Sequence, residues 1–154
     1  MPGSPAPQVT ATTQDDETVT LDFERPTVLF FYPRDSTPGC TTEARQFGAE
    51  LDRFRDAGVD VYGVSTDAPA DHRRFRERED LTVDLLADPG GAVADAFDVA
   101  RREDGSTERT TFVLADGEVR ETYTGVEPDG HARDVLDDVL EDGTVDVADA
   151  GRGV

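Results

Sequence analysis

The sequence has no lysine and no tryptophan, and it has only one methionine and one cysteine among its 154 residues. A single cysteine, Cys40, excludes an intrachain disulfide and a zinc or iron–sulfur site built from several cysteines. The only histidines are His72 and His131, so we expect no metal-ligand cluster and no bound cofactor. Both histidines lie among charged or helix-starting residues, and we expect them to be solvated. This expectation disfavours a cysteine hydrolase, which needs histidine as its base.

Positive charge is scarce as well. Fifteen arginines face 35 aspartates and glutamates, which gives a formal net charge of −20. Such a chain repels phosphate groups, so we expect no nucleic-acid partner and no membrane partner. Two interpretations of the charge remain: a folded protein from an extreme halophile, whose self-repulsion is screened at a Debye length of about 3 Å in molar salt, or an acidic disordered protein. The regular apolar segments favour the first.

Long apolar runs are also missing. The longest uninterrupted run, Val28 to Tyr32, is far too short to cross a bilayer. The first residues lack the basic and apolar regions of a secretory signal, so we expect a cytoplasmic protein. The length fits a single domain over residues 1–154, with an acidic tail at about 141–154 that we expect to be frayed.

The apolar residues that are present predict a strand–helix–strand unit. Residues 27–32 are continuously apolar, as in a central strand that is buried on both faces. A helix is predicted next, because five residues recur at helical spacing on one face; they are Cys40, Ala44, Phe47, Leu51 and Phe54. Gly58 ends this helix, and residues 59–65 form a second strand. The two strands should therefore be parallel neighbours.

The second half of the chain predicts a helix, a hairpin and a closing helix. Residues 69–80 are highly charged and predict an exposed helix, followed by a short strand at 85–87 and a short helix at 91–97. Residues 110–115 and 118–124 flank Asp-Gly, a strong hairpin signal. An amphipathic helix follows at about 130–140. The fold class is α/β and thioredoxin-like, with a central mixed sheet flanked by helices and an N-terminal β extension.

Cys40 is the residue with the clearest chemical potential. It lies in the first turn of the predicted helix, beyond the carboxyl end of the central strand, where open α/β sheets form their sites. Unused backbone N–H groups and the helix dipole favour an anion there and stabilise a thiolate. The alternative is a small buried hydrophobe, because Cys40 shares a face with Ala44 and Phe47. A thiol–disulfide oxidoreductase is disfavoured, because it needs two cysteines.

The segment FYPRDSTPGCTTEA, residues 31–44, resembles the peroxiredoxins. Pro33, Thr37 and Cys40 reproduce the P-x-x-x-T-x-x-C pattern, and the longer segment is similar to the Q-type subgroup named for the bacterioferritin comigratory protein. The resemblance extends from about residue 5 to about residue 140. It includes YGVS at 62–65, LLAD at 85–88 and RTTFVLADGEV at 109–119.

The resemblance implies roles for four residues. Cys40 would attack the O–O bond of a hydroperoxide and become a sulfenic acid. Thr37 would offer its hydroxyl to the thiolate and the peroxide, and Pro33 would shield the thiolate from water. Arg109 would be the active-site arginine. The strand order supports its position independently, because a strand antiparallel to the central one begins where the central one ends. Without the resemblance, a solvated surface arginine is an equal alternative.

The sequence departs from the resemblance at one position. Many Q-type members carry a second cysteine five residues after the first, and here that position is Arg45. The sulfenic acid would therefore need a thiol from another molecule, which is a thioredoxin-like protein, a low-molecular-weight thiol or Cys40 of a second subunit. We expect a monomer or a weak homodimer. The alternative to a peroxidase is a thioredoxin-fold redox sensor or binding module without efficient turnover.

Overall fold

The computed structural model describes residues 4–35 and 37–141, and it contains an eight-stranded mixed sheet with helices on both faces. The strands are β1 (Ser4–Pro5), β2 (Val9–Thr13), β3 (Thr18–Leu21), β4 (Thr27–Phe31), β5 (Asp60–Ser65), β6 (Asp84–Ala87), β7 (Thr110–Ala115) and β8 (Glu118–Tyr123). The helices are α1 (Pro38–Ala49), α2 (Leu51–Asp56), α3 (Pro69–Glu79), α4 (Ala92–Ala96) and α5 (His131–Glu141). The predicted acidic tail lies outside the described residues, apart from residue 141.

The central strand β4 is buried along its whole length, as its apolar run predicts. Its side chains alternate between the two faces of the sheet, because successive Cβ atoms of a strand point to opposite sides. Val28 and Phe30 pack in a cluster with residues of α1, α2, α3 and α5. Leu29 and Phe31 pack in a second cluster, which α4 covers. The α/β class with a flanked mixed sheet is therefore confirmed.

The strand order brings two distant segments to one edge of the sheet. The order is β1-β8-β7-β4-β5-β6-β2-β3, in which β4 is parallel to β5 and antiparallel to β7. Phe31, the last residue of β4, is paired with Thr110, the first residue of β7. The loop that leaves β4 and the residue that precedes β7 therefore lie side by side.

The long helix predicted over residues 40–54 is two helices in the structure. Glu50 separates α1 from α2, and its carboxylate pairs with Arg53 and Arg133. The break does not disturb the apolar face, because Leu51 and Phe54 remain in the same cluster as the buried residues of α1. The apolar spacing thus predicted the buried face correctly, but it carries no information on the continuity of the helical hydrogen bonds.

The N-terminal β extension adds strands at both edges of the sheet. β1 pairs with β8 at one edge, and β2 pairs with β6 near the other, where β3 completes the sheet. Among the described residues, the N-terminal β extension predicted from the sequence thus consists of three strands. Within the described part of the chain, no helix is long and apolar enough to cross a membrane.

Candidate active site

Cys40 lies in the first turn of α1, directly beyond the carboxyl end of β4. Thr37 has an extended conformation and is the N-cap residue, and Pro38 follows at the first helical position, where its missing N–H is not needed. The amide of Thr41 makes a helical bond to the carbonyl of Thr37, so the amides of Gly39 and Cys40 precede the regular ladder. Cys40 is only 1% exposed. Its sulfur is therefore recessed at the positive end of a helix.

Arg109 supplies a cation at contact distance from the sulfur. Its Nη1 lies 3.5 Å from Cys40 Sγ and donates a hydrogen bond of 3.0 Å to Glu43 Oε1. Burial opposes the charge of the guanidinium. The negative groups of Cys40 and Glu43 outweigh burial and raise the pKa of Arg109, so it is cationic at every physiological pH. A fixed charge in this position can stabilise a thiolate and an oxygen that becomes negative during a reaction.

Glu43 connects the arginine to the core of the protein. Its side chain is fully buried, and its Oε2 has no hydrogen-bond partner among the described residues. Burial raises the pKa of Glu43 from 4.5 to about 7, although the charge of Arg109 and the hydrogen bond with it act in the opposite direction. Glu43 lies three residues after Cys40 on α1, and this position brings its carboxylate against the arginine.

Gly39 leaves the room that Arg109 occupies. A Cβ at this position would lie 2.9 Å from Arg109 Nη2 and 3.4 Å from Pro128 Cγ. A separation under 3.0 Å forces a shift of the arginine, which is the flexible partner. The absence of a side chain at residue 39 therefore helps to hold the guanidinium beside Cys40.

A pocket of about 370 Å³ opens beside this group. Thr37 and Pro33 both line it, and Pro33 is buried. The Thr37 hydroxyl donates to the backbone carbonyl of Arg34 at 3.1 Å, which leaves its lone pairs free to accept a hydrogen bond. The remaining lining residues are Arg34, Gly39, Arg102, Asp104, Ser106 and Arg109. All four residues singled out from the sequence thus lie at one site, and their catalytic roles remain predictions.

The predictions for the two histidines are wrong. His72 is fully buried and His131 is 6% exposed, so protein groups rather than water surround both rings. His72 Nδ1 lies 2.7 Å from Asp35 Oδ2, and its Nε2 donates to the carbonyl of Leu86 at 3.0 Å. His131 Nε2 lies 2.8 Å from Thr111 Oγ1. The charged residues that neighbour the two histidines in sequence therefore did not indicate whether each histidine lies on the buried or the exposed face of its helix.

His131 is a neutral residue of the core. Its ring packs edge to face against Phe47 and Tyr123. Burial lowers the pKa of His131 from 6.5 to about 4, and the charge of Arg109 acts in the same direction, against the smaller opposing effects of Asp134 and Asp138. At neutral pH the ring is uncharged, and it contributes packing and one hydrogen bond.

One group of side chains in the described part of the chain has the spacing of a metal site. Ligand atoms of Asp35, Asp67 and His72 lie within 4.8 Å of one another. These atoms already satisfy each other or nearby groups, since His72 Nδ1 faces Asp35 and the Ser65 hydroxyl donates to Asp67 at 2.7 Å. An ion would have to displace both hydrogen bonds, so the donor set fits a hydrogen-bond network better than a metal.

Comparisons with known proteins identify the family of the chain. The family profile described as "AhpC/TSA family" matches residues 2–122. The peroxiredoxin Bcp of Xanthomonas campestris is 39% identical over 71% of this chain and 72% of its own length. The chloroplastic peroxiredoxin Q of Oryza sativa is 37% identical over 87% of this chain, which spans 64% of that relative's length. The crystal structure of peroxidoxin BcpB from Mycobacterium tuberculosis superposes with a TM-score of 0.83 at 31% identity, over 90% of this chain and 96% of that one.

These similarities establish the class to which the protein belongs. It has the thioredoxin-like α/β fold, and the chain belongs to the AhpC/TSA family. Within this family it is similar to the peroxiredoxins named Bcp and Q, which are thiol-dependent peroxidases. The single cysteine makes it a one-cysteine variant of that group.

Proposed function

We propose that the protein reduces hydrogen peroxide and organic hydroperoxides through Cys40. The Cys40 thiolate attacks one oxygen of the O–O bond, so that an S–O bond forms and the O–O bond breaks. The leaving oxygen takes up a proton and departs as water or an alcohol, and Cys40 becomes a sulfenic acid. The observation that carries this proposal is the recessed sulfur at the start of α1, 3.5 Å from the partly buried cation of Arg109.

The neighbouring residues support each part of this reaction. Arg109 stabilises the thiolate and the negative charge that develops on the leaving oxygen. The Thr37 hydroxyl lines the pocket and has lone pairs available for the proton of the hydroperoxide. Pro33 is buried and lines the same pocket, where its apolar ring keeps water from the sulfur. The pocket of about 370 Å³ has room for an organic group as well as for hydrogen peroxide.

The reductant is an external thiol, because the chain has no second cysteine. One thiol condenses with the sulfenic acid, releases water and forms a mixed disulfide with Cys40. A second thiol attacks this mixed disulfide, which restores the Cys40 thiol and releases a disulfide formed from the two reducing thiols. A thioredoxin-like protein and a low-molecular-weight thiol are both suitable chemical sources.

The test is a pair of measurements on the wild type and on Cys40→Ser. With added thiol, the wild type should consume many equivalents of peroxide, and Cys40→Ser should consume none above background. Mass spectrometry of the wild type after peroxide alone should find one added oxygen on Cys40 and no intrachain crosslink. Consumption that stops at one equivalent per Cys40, with excess thiol present, would instead identify a sensor. Full activity in Cys40→Ser would refute the assignment.

We also propose that the protein acts in the salt-rich cytoplasm of an extreme halophile, as a monomer or a weak homodimer. The support is the net charge of −20, with arginine as the sole strong cation. Repulsion among the carboxylates is screened in molar salt, whereas Arg109 acts on Cys40 at contact distance, where screening is weakest. Dialysis from molar to low salt should lower the unfolding temperature and loosen the protein. Equal stability in dilute buffer would contradict the proposal.

A further inference from the structure

The loop between β4 and α1 carries Cys40 to its position, and one carboxylate in that loop is held from two sides. Asp35 lies five residues before Cys40. Its Oδ1 accepts a hydrogen bond of 2.6 Å from the Tyr32 hydroxyl, and its Oδ2 lies 2.7 Å from His72 Nδ1. We call Tyr32, Asp35 and His72 the Asp35 clamp.

Both partners of Asp35 are fixed in the protein core. Tyr32 and His72 are fully buried. Burial, together with the charge of Asp35 and the hydrogen bond to it, raises the pKa of Tyr32, so its hydroxyl keeps the proton that it donates. The Leu86 carbonyl can only accept, so the Nε2 of His72 carries a proton and anchors the ring to β6. The carboxylate of the loop is therefore tied to Tyr32 directly after β4, to α3 and, through His72, to β6.

The backbone of the loop is held at the same residue. The amide of Asp35 donates to Asp67 Oδ2 at 2.8 Å, and the Ser65 hydroxyl donates to the same oxygen at 2.7 Å. Ser65 ends β5, the parallel neighbour of β4. The loop is thus attached to the carboxyl ends of three neighbouring strands shortly before α1 begins.

This attachment matters because Cys40 and Arg109 belong to different parts of the fold. Cys40 follows the loop on α1, whereas Arg109 immediately precedes β7. Their separation of 3.5 Å depends on where the loop sets the first turn of α1 relative to the sheet. A displacement of about 1 Å at a reacting group costs about a hundredfold in rate.

We propose that Tyr32, Asp35 and His72 are positioning residues, which set Cys40 at its reacting distance from Arg109 and from the peroxide. The proposal rests on the proposed function of Cys40 as nucleophile. None of the three residues touches the sulfur or Arg109 through a hydrogen bond described above. They act through the loop, and their removal should slow the reaction with peroxide in protein that is still folded.

Two substitutions of His72 separate positioning from stability. In His72→Asn, the amide nitrogen replaces Nδ1, so the bond to Asp35 is kept and the bond to Leu86 is lost. In His72→Gln, the amide nitrogen replaces Nε2, so the bond to Leu86 is kept and the bond to Asp35 is lost. Each variant loses one buried hydrogen bond, and only the second releases the loop.

The measurement is the second-order rate constant of Cys40 oxidation by hydrogen peroxide, recorded by stopped flow in molar salt. We expect His72→Gln to lower it about ten- to a hundredfold, and His72→Asn to stay within about threefold of the wild type. Tyr32→Phe, which removes only the hydroxyl, should lower it as well. Tyr123→Phe is the matched control, because its hydroxyl donates to Asp138 at 2.7 Å, on β8 and α5. It should keep the wild-type rate.

Thermal unfolding of each variant identifies the folded temperature range, and the rates are compared only within it. Equal rate constants for His72→Gln and the wild type would overturn the positioning role. So would equal losses in His72→Gln and His72→Asn, because these variants share only a loss of stability. The proposed function fails separately, when the wild type itself does not react at Cys40.

Discussion

The stability of this protein should carry a pH dependence that originates in one buried carboxyl group. Glu43 is fully buried, and its pKa is raised from 4.5 to about 7, because burial outweighs the favourable contact with Arg109. In the unfolded chain this carboxyl loses its proton near its ordinary pKa. In the folded protein it keeps the proton until about pH 7. Between these two values the folded state holds one proton more than the unfolded state.

The sign and the size of the effect follow from this difference. When the folded state binds more protons, the free energy of unfolding falls as pH rises. The contribution of Glu43 is fully present below about pH 4.5, decreases up to about pH 7 and is constant above that. The raised pKa of Glu43 corresponds to a decrease of about 3 kcal/mol in the free energy of unfolding between pH 4.5 and pH 7. In Glu43→Gln, a neutral amide occupies the same place and this loss is absent.

The assay is denaturant unfolding of the wild type and Glu43→Gln at fixed molar salt, from pH 4 to pH 8. The free-energy difference between them removes the contributions of all other titrating groups that they share. We expect Glu43→Gln to gain about 3 kcal/mol relative to the wild type between pH 4.5 and pH 7. Above about pH 7, where Glu43 is ionised, its peroxide reaction should be slower, because Arg109 has lost its anionic partner. Glu77→Gln, which removes an exposed carboxyl of α3, is the control. A difference that does not change with pH would refute the reasoning.

Two further predictions concern the neighbours of the site. Gly39→Ala should lower the peroxide rate about tenfold or more, because its Cβ would lie 2.9 Å from Arg109 Nη2 and displace the guanidinium. Gly90→Ala, where nothing lies within 4 Å, should keep the wild-type rate, and equal rates for both variants would contradict the prediction. In His131→Gln, the free energy of unfolding should decrease less than in the wild type as the pH falls from 7 to 4. Burial lowers the pKa of His131 to about 4, so the unfolded wild type takes up a proton below about pH 6.5 that the folded protein refuses. Denaturant unfolding at pH 4 to 7 measures this, and parallel curves for the two proteins would exclude it.

The sequence predicted most of the elements because two local signals were strong. The continuous apolar run of β4 and the Asp116-Gly117 turn between β7 and β8 set the central strand and the hairpin. The same signals predicted that Arg109 would lie at the carboxyl end of β4, and the pairing of Phe31 with Thr110 confirms that position. Local patterns sufficed for the hairpin, because the pairing of β7 with β8 depends on residues close to the turn. The pairing of β4 with β7 is long-range and was predicted from the strand order of the fold.

The Asp35 clamp could not be predicted in the same way. Its members Asp35 and His72 are 37 residues apart in sequence, and their contact depends on how α3 packs on the sheet. The one available signal was the spacing of His72 and Phe75, which puts both residues on one face of α3. The fully buried Phe75 turns that face to the core. Because most residues of α3 are charged, the composition of this helix does not indicate that one of its faces is buried.

The helix α1 stabilises the Cys40 thiolate at its N-terminus, and it also packs in the apolar core. Oxidative damage at Cys40 should therefore lower the stability of the fold. Cys40 is packed in the same apolar cluster as Ala44 and Phe47, which extend along α1. Further oxidation to a sulfinic acid would install a permanent anion and two oxygens in that cluster. Burying such a charge beside aromatic rings is costly, although Arg109 and the N-terminus of α1 offset part of that cost. An irreversibly oxidised molecule should therefore be the least stable form of this protein, and the first that a protease removes.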